Sequence, residues 1–166
     1  MLTLVLGGAR SGKSRHAEEL LAGMPAPWIY LATGQAWDEE MRARVAEHRA
    51  RRTEGWQTIE VPVTLADELD EAGDRPVLVD CLTLWLTNLL LGDHDVEQAV
   101  SRLMAALGRR QVATVLVGSE VGMGIVPENA LARRFRDEAG LLHQRIATIA
   151  DRVVLVVAGL PLVVKG

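Results

Sequence analysis

Cysteine, lysine and long apolar runs are scarce in this chain of 166 residues. Cys81 is the only cysteine, so an intramolecular disulfide and a cysteine-cluster metal site are excluded. The longest apolar runs, such as residues 153–158, are too short to span a bilayer, and the start of the chain lacks a secretory-signal pattern. The formal net charge of −4 provides no overall attraction to nucleic acid or anionic membranes. We therefore expect a cytoplasmic protein with no membrane span and no nucleic-acid partner.

Short runs rich in β-branched residues alternate along the chain with patterns typical of helices. Such alternation indicates a mostly parallel sheet whose two faces are covered by helices. No linker or internal repeat divides the sequence, so we predict a single α/β domain over residues 1–166. Strands are predicted at 2–6, 28–32, 58–61, 77–80, 112–117, 152–157 and 160–164, the last two as a hairpin or two edge strands. Helices are predicted at 14–22, 38–52, 64–72, 82–91, 95–109 and 128–150.

The first predicted strand runs into a glycine-rich segment that fits the phosphate-binding pattern G-x-x-x-x-G-K-S. Gly7 and Gly12 let the main chain wrap a phosphate, and the following helix points its positive end at the anion. Lys13 would reach the β- and γ-phosphates, while the Ser14 hydroxyl would ligate Mg²⁺. The strand before and the helix after the segment favour this function over a chance match, and they predict a P-loop NTPase domain of RecA-like fold. The segment consists of Gly7, Gly8, Ala9, Arg10, Ser11, Gly12, Lys13 and Ser14.

Asp80 closes the apolar run at residues 77–79 and is the expected acidic partner of the phosphate loop. An acid at the carboxyl end of a strand adjacent to the P-loop strand would hold Mg²⁺ through its water shell. A turn residue that merely ends the strand is the alternative. Cys81 beside it is expected to be a small buried residue.

The scarcity of lysine narrows the class of nucleotide-binding protein. Signalling GTPases read guanine with an Asn-Lys-x-Asp segment, but Lys165 is the only lysine outside the phosphate loop and Val164 precedes it. The sequence therefore disfavours a molecular-switch GTPase and leaves small-molecule kinases open.

The predicted helix 38–52 carries His48 among several arginines. Neighbouring cations depress the pKa of a histidine, which keeps its imidazole neutral and nucleophilic, and arginines bind phosphates bidentately. The alternative is an ordinary polar helix with its acids first and its arginines last, which matches the helix dipole. The residue types alone leave both interpretations open.

Residues 7–18 resemble the start of the bifunctional adenosylcobinamide kinase / adenosylcobinamide-phosphate guanylyltransferase family. Matching segments continue in order over essentially the whole chain. One position departs from the family pattern, because Ser119 stands where family members more often have asparagine before Glu120. The segments are Tyr30-Leu31-Ala32-Thr33, Asp38-Glu39-Glu40-Met41, His48-Arg49, Trp56 with Thr58 and Glu60, Asp80-Cys81-Leu82-Thr83 with Asn88, residues 120–129, residues 133–137 and His143-Gln144-Arg145.

The resemblance implies a two-step enzyme of cobalamin biosynthesis and salvage. Its first step would phosphorylate adenosylcobinamide with ATP or GTP, and its second would transfer GMP from GTP to adenosylcobinamide phosphate. His48 matches the histidine that carries the guanylyl group, Mg²⁺ is the implied cofactor, and a homotrimer is the implied assembly. Besides residues 7–14, the implied nucleotide contacts are Ala32, Thr33, Gly34, Arg49, Ala50, Arg51, Arg52, Glu60 and Asp80.

Two other functions remain open at this point. One is a P-loop small-molecule kinase without the guanylyl step, in which His48 is a surface residue. The other is a regulatory ATPase that transfers nothing. Glu120 likewise has two interpretations, as a contact to the corrinoid or the metal, or as an anchor of its own loop.

Overall fold

The structure is a computed structural model that describes residues 1–35, 39 and 54–166. Strands and helices alternate along these residues, as the sequence pattern predicts. The predicted helix 38–52 lies outside the described residues, apart from Glu39. In chain order the elements are β1 (Leu2–Gly7), α1 (Lys13–Ala22), β2 (Trp28–Ala32), β3 (Trp56–Glu60), α2 (Leu65–Glu71), β4 (Val77–Asp80), α3 (Leu82–Leu91), α4 (Val96–Arg109), β5 (Thr114–Ser119), α5 (Ala130–Ile149), β6 (Arg152–Val157) and β7 (Leu160–Lys165).

The strands form one seven-stranded sheet in the order β3-β2-β4-β5-β1-β6-β7. Every neighbouring pair is parallel except β6 and β7, which form an antiparallel hairpin at one edge. Parallel strands bring their carboxyl ends to a common edge, where ligands bind in such sheets. The predicted α/β fold with a mostly parallel sheet is confirmed, and the last two strands are a hairpin.

The order of the strands corrects one prediction. Asp80 does not end a strand adjacent to the P-loop strand, because β5 lies between β4 and β1 and pairs with both. The apolar side chains of β5 are buried, which suits a central position in the sheet. Sequence order did not reveal this position, since β5 follows β4 only after two helices.

Helices cover both faces of the sheet, and each face has its own hydrophobic core. Side chains alternate along the strands, so Leu4 packs on one face and its neighbour Val5 packs on the other. The first core includes residues of α2, α3, α4 and α5, and the second includes Ala17 and Leu21 of α1. The prediction of helices on both faces is confirmed.

Several predicted element bounds differ from the structure by a few residues. Helix α5 begins at Ala130 because Asn129 caps it, with Oδ1 accepting from Leu131 N (2.8 Å) and Ala132 N (3.1 Å). Strand β5 extends to Ser119 because it pairs with β1 up to Gly7. Within the described residues, none of the helices is long and apolar enough to cross a membrane.

Candidate functional site

The phosphate loop joins the end of β1 to the N-terminus of α1 over residues 8–12. Arg10 and Gly12 have left-handed backbone conformations, with φ of 53° and 95°, and these reverse the chain into the helix. Ser11 N donates to Gly8 O over 3.3 Å within this turn. The structure therefore places residues 7–14 in the strand–loop–helix arrangement that binds phosphates.

Close packing explains the glycines of the loop. A Cβ on Gly7 would overlap Ser11 Oγ and lie 2.7 Å from Val156 O. A Cβ on Gly12 would lie 3.3 Å from the Cα of Gly159, whose N–H donates to Ser11 O over 2.8 Å. The turn between β6 and β7 thus supports the phosphate loop from a distant part of the chain. Sequence reasoning missed this support, because nothing in the spacing of the residues links Gly159 to the loop.

Lys13 and Ser14 occupy the first turn of α1 and are both half-buried. Lys13 Nζ donates to Gly8 O over 3.0 Å, so the ammonium group lies against the loop. Ser11 Oγ is buried and has no hydrogen-bond partner among the described residues. A triphosphate at this place would meet an ammonium group, the hydroxyl of Ser14, the main chain of the loop and the positive end of a helix.

Asp80 ends β4 at the same carboxyl edge of the sheet, on the face that α1 covers. Its Oδ2 accepts a hydrogen bond of 2.9 Å from Tyr30 Oη, on the neighbouring strand β2. Two strand spacings separate β4 from β1, which is roughly 10 Å. A carboxylate at that distance from the loop suits contact with a metal through water better than direct contact. Sequence reasoning did not find the role of Tyr30, since the Tyr30–Asp80 pairing depends on the strand order.

Hydrogen bonds of Thr33 and Asn88 hold the segments that follow β2 and β4 in place beside Asp80. Thr33 Oγ1 donates to Cys81 O (2.7 Å) and accepts from Cys81 N (2.8 Å), and Thr33 N donates to Asp80 O (3.1 Å). The amide of Asn88 donates to Thr33 O (2.8 Å) and to Pro62 O (2.9 Å). The side chain of Thr33 is fully buried, and these bonds occupy both its hydroxyl and its main-chain N–H, so a nucleotide contact at this residue would use the second lone pair of its main-chain carbonyl.

Ala32, Gly34 and Glu60 lie at the same edge of the sheet. Ala32 is in register with both Asp80 and Glu60, which are the last residues of β4 and β3. A Cβ on Gly34 would lie 3.2 Å from Leu84 Cδ1, so the chain passes close to α3 at this point. Glu60 is exposed at the end of the outermost strand, several strands away from the phosphate loop.

Cys81 follows Asp80 and is buried, which confirms the expectation of a small buried residue. Burial raises the pKa of its thiol to about 11, and the negative charge of Asp80 acts in the same direction. The positive charge of Lys13 lowers this pKa, as the smallest of the contributions. Asp80, at the end of β4, and Lys13, at the start of α1, therefore lie at the same carboxyl edge of the sheet, although β4 and β1 are not neighbouring strands.

Glu120 connects the phosphate loop to the loop that follows β5. Its N–H donates to Gly7 O over 3.0 Å, and its Oε1 accepts from Gly122 N over 2.7 Å. Of the two interpretations of Glu120, these hydrogen bonds support the one in which it anchors its own loop. His143 of α5 is buried nearby against Gly118, and a Cβ there would lie 2.5 Å from its Nε2. Burial lowers the pKa of His143 and so favours the neutral imidazole, whereas the charge of Glu120 acts in the opposite direction.

The remaining predicted site residues lie outside the described residues. They are His48, the expected nucleophile, and the expected phosphate contacts Arg49, Ala50, Arg51 and Arg52. The segment that contains them joins the end of β2 to the start of β3.

The residues at the carboxyl edge fit Mg²⁺ shared with a nucleotide. Magnesium prefers oxygen ligands and commonly takes one or two from the protein, with phosphates and waters completing its shell. The Ser14 hydroxyl, at the start of α1, and the Asp80 carboxylate, at the end of β4, are such groups at the same edge of the sheet. No cluster of three or more histidine, cysteine or acidic side chains suited to a metal exists among residues 1–35, 39 and 54–166. A metal held mainly by protein ligands is therefore not a feature of the described part.

A phosphate loop that opens a helix, a lysine over that loop and an acid on a non-adjacent strand define a P-loop nucleotide-binding enzyme. The particular family follows from comparison with known proteins. Residues 3–164 match the family described as cobinamide kinase / cobinamide phosphate guanyltransferase, and the chain belongs to this family. Family membership makes the chain a bifunctional enzyme of adenosylcobalamin biosynthesis.

Relatives of the same kind cover the whole chain. The bifunctional adenosylcobalamin biosynthesis protein CobP of Pseudomonas aeruginosa is 53% identical over 171 residues, covering 100% of this chain and 98% of that protein. The bifunctional adenosylcobalamin biosynthesis protein CobU of Escherichia coli is 47% identical over 183 residues, covering 99% of this chain and 100% of that protein.

Solved structures of distant sequence share the fold. A protein of Pyrococcus horikoshii, PH0250, has a TM-score of 0.56 and 10% identity, with 99% of this chain and 86% of that one covered. An ATPase of a bacterial type III secretion system has a TM-score of 0.54 and 14% identity, with 93% of this chain and 50% of that one covered. At such identities the likeness concerns the fold alone.

Proposed function

We propose that this chain catalyses two successive transfers at one phosphate loop. In the first, ATP or GTP phosphorylates the hydroxyl of the aminopropanol arm of adenosylcobinamide. In the second, GMP passes from GTP to the new phosphate, which gives adenosylcobinamide-GDP and pyrophosphate. The observation that carries the proposal is the joint placement of the phosphate loop, Lys13 and Asp80 at one sheet edge, in a chain of this family.

The kinase step depends on charge and position rather than on covalent chemistry of the protein. The N–H groups of residues 8–12 and the N-terminus of α1 would hold the β-phosphate. The Lys13 ammonium would neutralise charge that develops between the β- and γ-phosphates as the bond breaks. The substrate oxygen attacks the γ-phosphorus, its proton leaves to solvent or a base, and the nucleoside diphosphate departs.

The guanylyl step uses the α-phosphorus of GTP and His48. A neutral imidazole nitrogen attacks the α-phosphorus, the bond to the β-phosphate oxygen breaks, and pyrophosphate leaves beside Lys13. A phosphate oxygen of adenosylcobinamide phosphate then attacks the phosphoramidate and releases the imidazole. The arginine-rich sequence around His48 supports the proposal, because positive charge near a histidine favours the neutral, nucleophilic form of its imidazole.

Further contacts complete the proposed nucleotide site. We assign to it the main chain of Ala32, Thr33 and Gly34, the segment Arg49, Ala50, Arg51 and Arg52, and Glu60, whose carboxylate suits the N–H donors of guanine. Ser14 and Asp80 would hold Mg²⁺, which supplies positive charge to the phosphates when it is bound.

The proposal also includes the cellular location and the oligomeric state of the enzyme. We assign the chain to the cytoplasm and expect it to act as a homotrimer. The edge strand β7 supports an assembly, since each of its residues is exposed and most of them are apolar. The net charge of −4 supports small-molecule partners over nucleic acid.

Incubation with GTP labelled at the α-phosphate tests the guanylyl step. We expect acid-labile, base-stable label on the protein, and we expect His48→Ala to abolish it, since a phosphoramidate has this stability and His48 carries it. His94→Ala is the matched control, because His94 is an exposed histidine of the loop between α3 and α4. Label is measured on the denatured protein after acid or alkali.

Each alternative function predicts a different result from the same preparation. Phosphorylation of adenosylcobinamide with no protein label would indicate a kinase that lacks the guanylyl step. Hydrolysis of nucleotide with neither product would indicate a regulatory ATPase. Label that survives His48→Ala would contradict the assignment of the nucleophile.

A further inference from the structure

The loop after β5 exposes an uncharged apolar surface, which we call the apolar loop and define as residues 121–127. Met123 is 81% exposed, Ile125 is 97% exposed and Val126 is 60% exposed. None of the seven residues carries a charge. Single exposed apolar side chains are common on protein surfaces, but three within four residues form a patch of the kind that binds ligands or partners.

Both ends of the apolar loop are fixed to the body of the protein. At its start, the Glu120 N–H donates to Gly7 O, and the Glu120 carboxylate accepts from Gly122 N. At its end, the Arg133 guanidinium donates to Pro127 O (2.9 Å) and to Glu128 O (2.5 Å). The exposure of the side chains between these anchors is therefore a feature of a held loop, not of a free end.

The anchor at Glu120 places the apolar loop beside the phosphate site. Gly7, whose carbonyl accepts the Glu120 N–H, is the residue at which β1 enters the phosphate loop. The substrate that receives the γ-phosphate must bring its hydroxyl to this point, so the rest of that substrate lies over the neighbouring surface. No lysine or arginine is present in residues 121–127, so the surface does not suit a second group of phosphates.

We propose that the apolar loop is the surface on which the corrin macrocycle of the substrate rests. This inference rests on the proposed function, which makes adenosylcobinamide the substrate. A corrin ring has two broad apolar faces and a rim of uncharged amides, and it matches an uncharged apolar surface. The flexible thioether of Met123 adapts to an irregular ring face, and the main chain around Gly124 is open, with nothing near the position of a Cβ.

The test compares corrinoid and nucleotide affinity in a loop variant. The double variant Met123→Ser with Ile125→Ser removes apolar area from the apolar loop and leaves the residues of the phosphate loop unchanged. Because both side chains are largely exposed, we expect the variant to fold. We expect the Kd for adenosylcobinamide, measured by equilibrium dialysis and corrin absorbance, to rise about tenfold or more, which is about 1.4 kcal/mol. The Kd for GTP, measured by calorimetry, should stay within about twofold, which is about 0.4 kcal/mol. Leu141→Ser is the matched control, since it changes an exposed leucine of α5 and should alter neither affinity.

The other outcomes are distinguishable. An unchanged Kd for adenosylcobinamide in the folded double variant would overturn the proposal. An unchanged Kd together with a smaller mass in sedimentation would overturn it and assign the surface to contact between copies of the chain. A wild-type protein that binds GTP but no adenosylcobinamide would refute the proposed function itself, and with it this inference.

Discussion

The thiol of Cys81 is shielded chemically as well as sterically. Burial and the charge of Asp80 raise the pKa of this thiol from its ordinary value of 9.0 to about 11. At pH 8 roughly one molecule in a thousand carries the thiolate, which is the reactive form, whereas about one in ten does so in the unfolded chain. We expect iodoacetamide to modify the native protein at pH 8 about a hundredfold more slowly than the chain unfolded in guanidinium, as followed by mass spectrometry. Equal rates would show that the thiol is accessible and ionised.

At the scale of residues, the phosphate loop could be predicted and its supports could not. Residues 7–14 form a local pattern whose chemistry is readable from spacing alone, and the structure places them as predicted. The contact of Gly159 with Ser11, and the hydrogen bond from Tyr30 to Asp80, join residues far apart in the chain. Such pairs depend on the strand order, which a single sequence does not contain.

The hairpin of β6 and β7 turns through two residues, and one of them is unfavourable there. Val157 pairs with Leu160, and Ala158 (φ 51°) and Gly159 (φ 80°) both have left-handed conformations, as a type I′ turn requires. A left-handed alanine costs about 1–2 kcal/mol, while asparagine tolerates this region. We expect Ala158→Asn to raise the free energy of unfolding by about 0.5–1 kcal/mol in urea titration.

Ala158→Val provides the contrast for that prediction. A β-branched residue is worse than alanine at positive φ, so this variant should be less stable than the wild type. If the asparagine variant were no more stable than the valine variant, the backbone conformation of the turn would not be the cause.

At the scale of elements, apolar periodicity was sufficient to find the described strands and helices but not to arrange them. The run at 77–80 and the run at 28–32 were predicted with their observed bounds, because each is short, apolar and bounded by turn residues. The expectation that β4 lies beside β1 was wrong, because β5 lies between them. The position of β5 depends on contacts between residues that are far apart in the chain. The consequence for the site is a larger separation between Asp80 and the phosphate loop, which favours a contact through water.

At the scale of the whole molecule, strand β7 forms one edge of the sheet. Strand β7 pairs with β6 on one side, and no described strand pairs with its other side. Leu160 and Leu162 alternate along β7, so they lie on one face, and they are 72% and 58% exposed. Val164, which is 64% exposed, lies at the register shift between Val163 and Lys165. An exposed apolar edge strand is a template for association unless it is covered. The hairpin is therefore the surface at which we expect copies of the chain to meet.

A charged side chain at Leu162 of β7 should dissociate the expected trimer without disturbing the fold of the single chain. We expect sedimentation equilibrium at micromolar concentration to give the mass of three chains for the wild type and the mass of one chain for Leu162→Glu. The reason is that burying a carboxylate without a partner in an apolar contact costs free energy. Leu141→Glu, which adds the same charge at a similarly exposed leucine of α5, should keep the wild-type mass. Since the phosphate loop lies within one chain, the Leu162→Glu protein should still bind GTP. A wild-type monomer would refute the trimer, whereas a trimer that survives Leu162→Glu would place its interface on another surface.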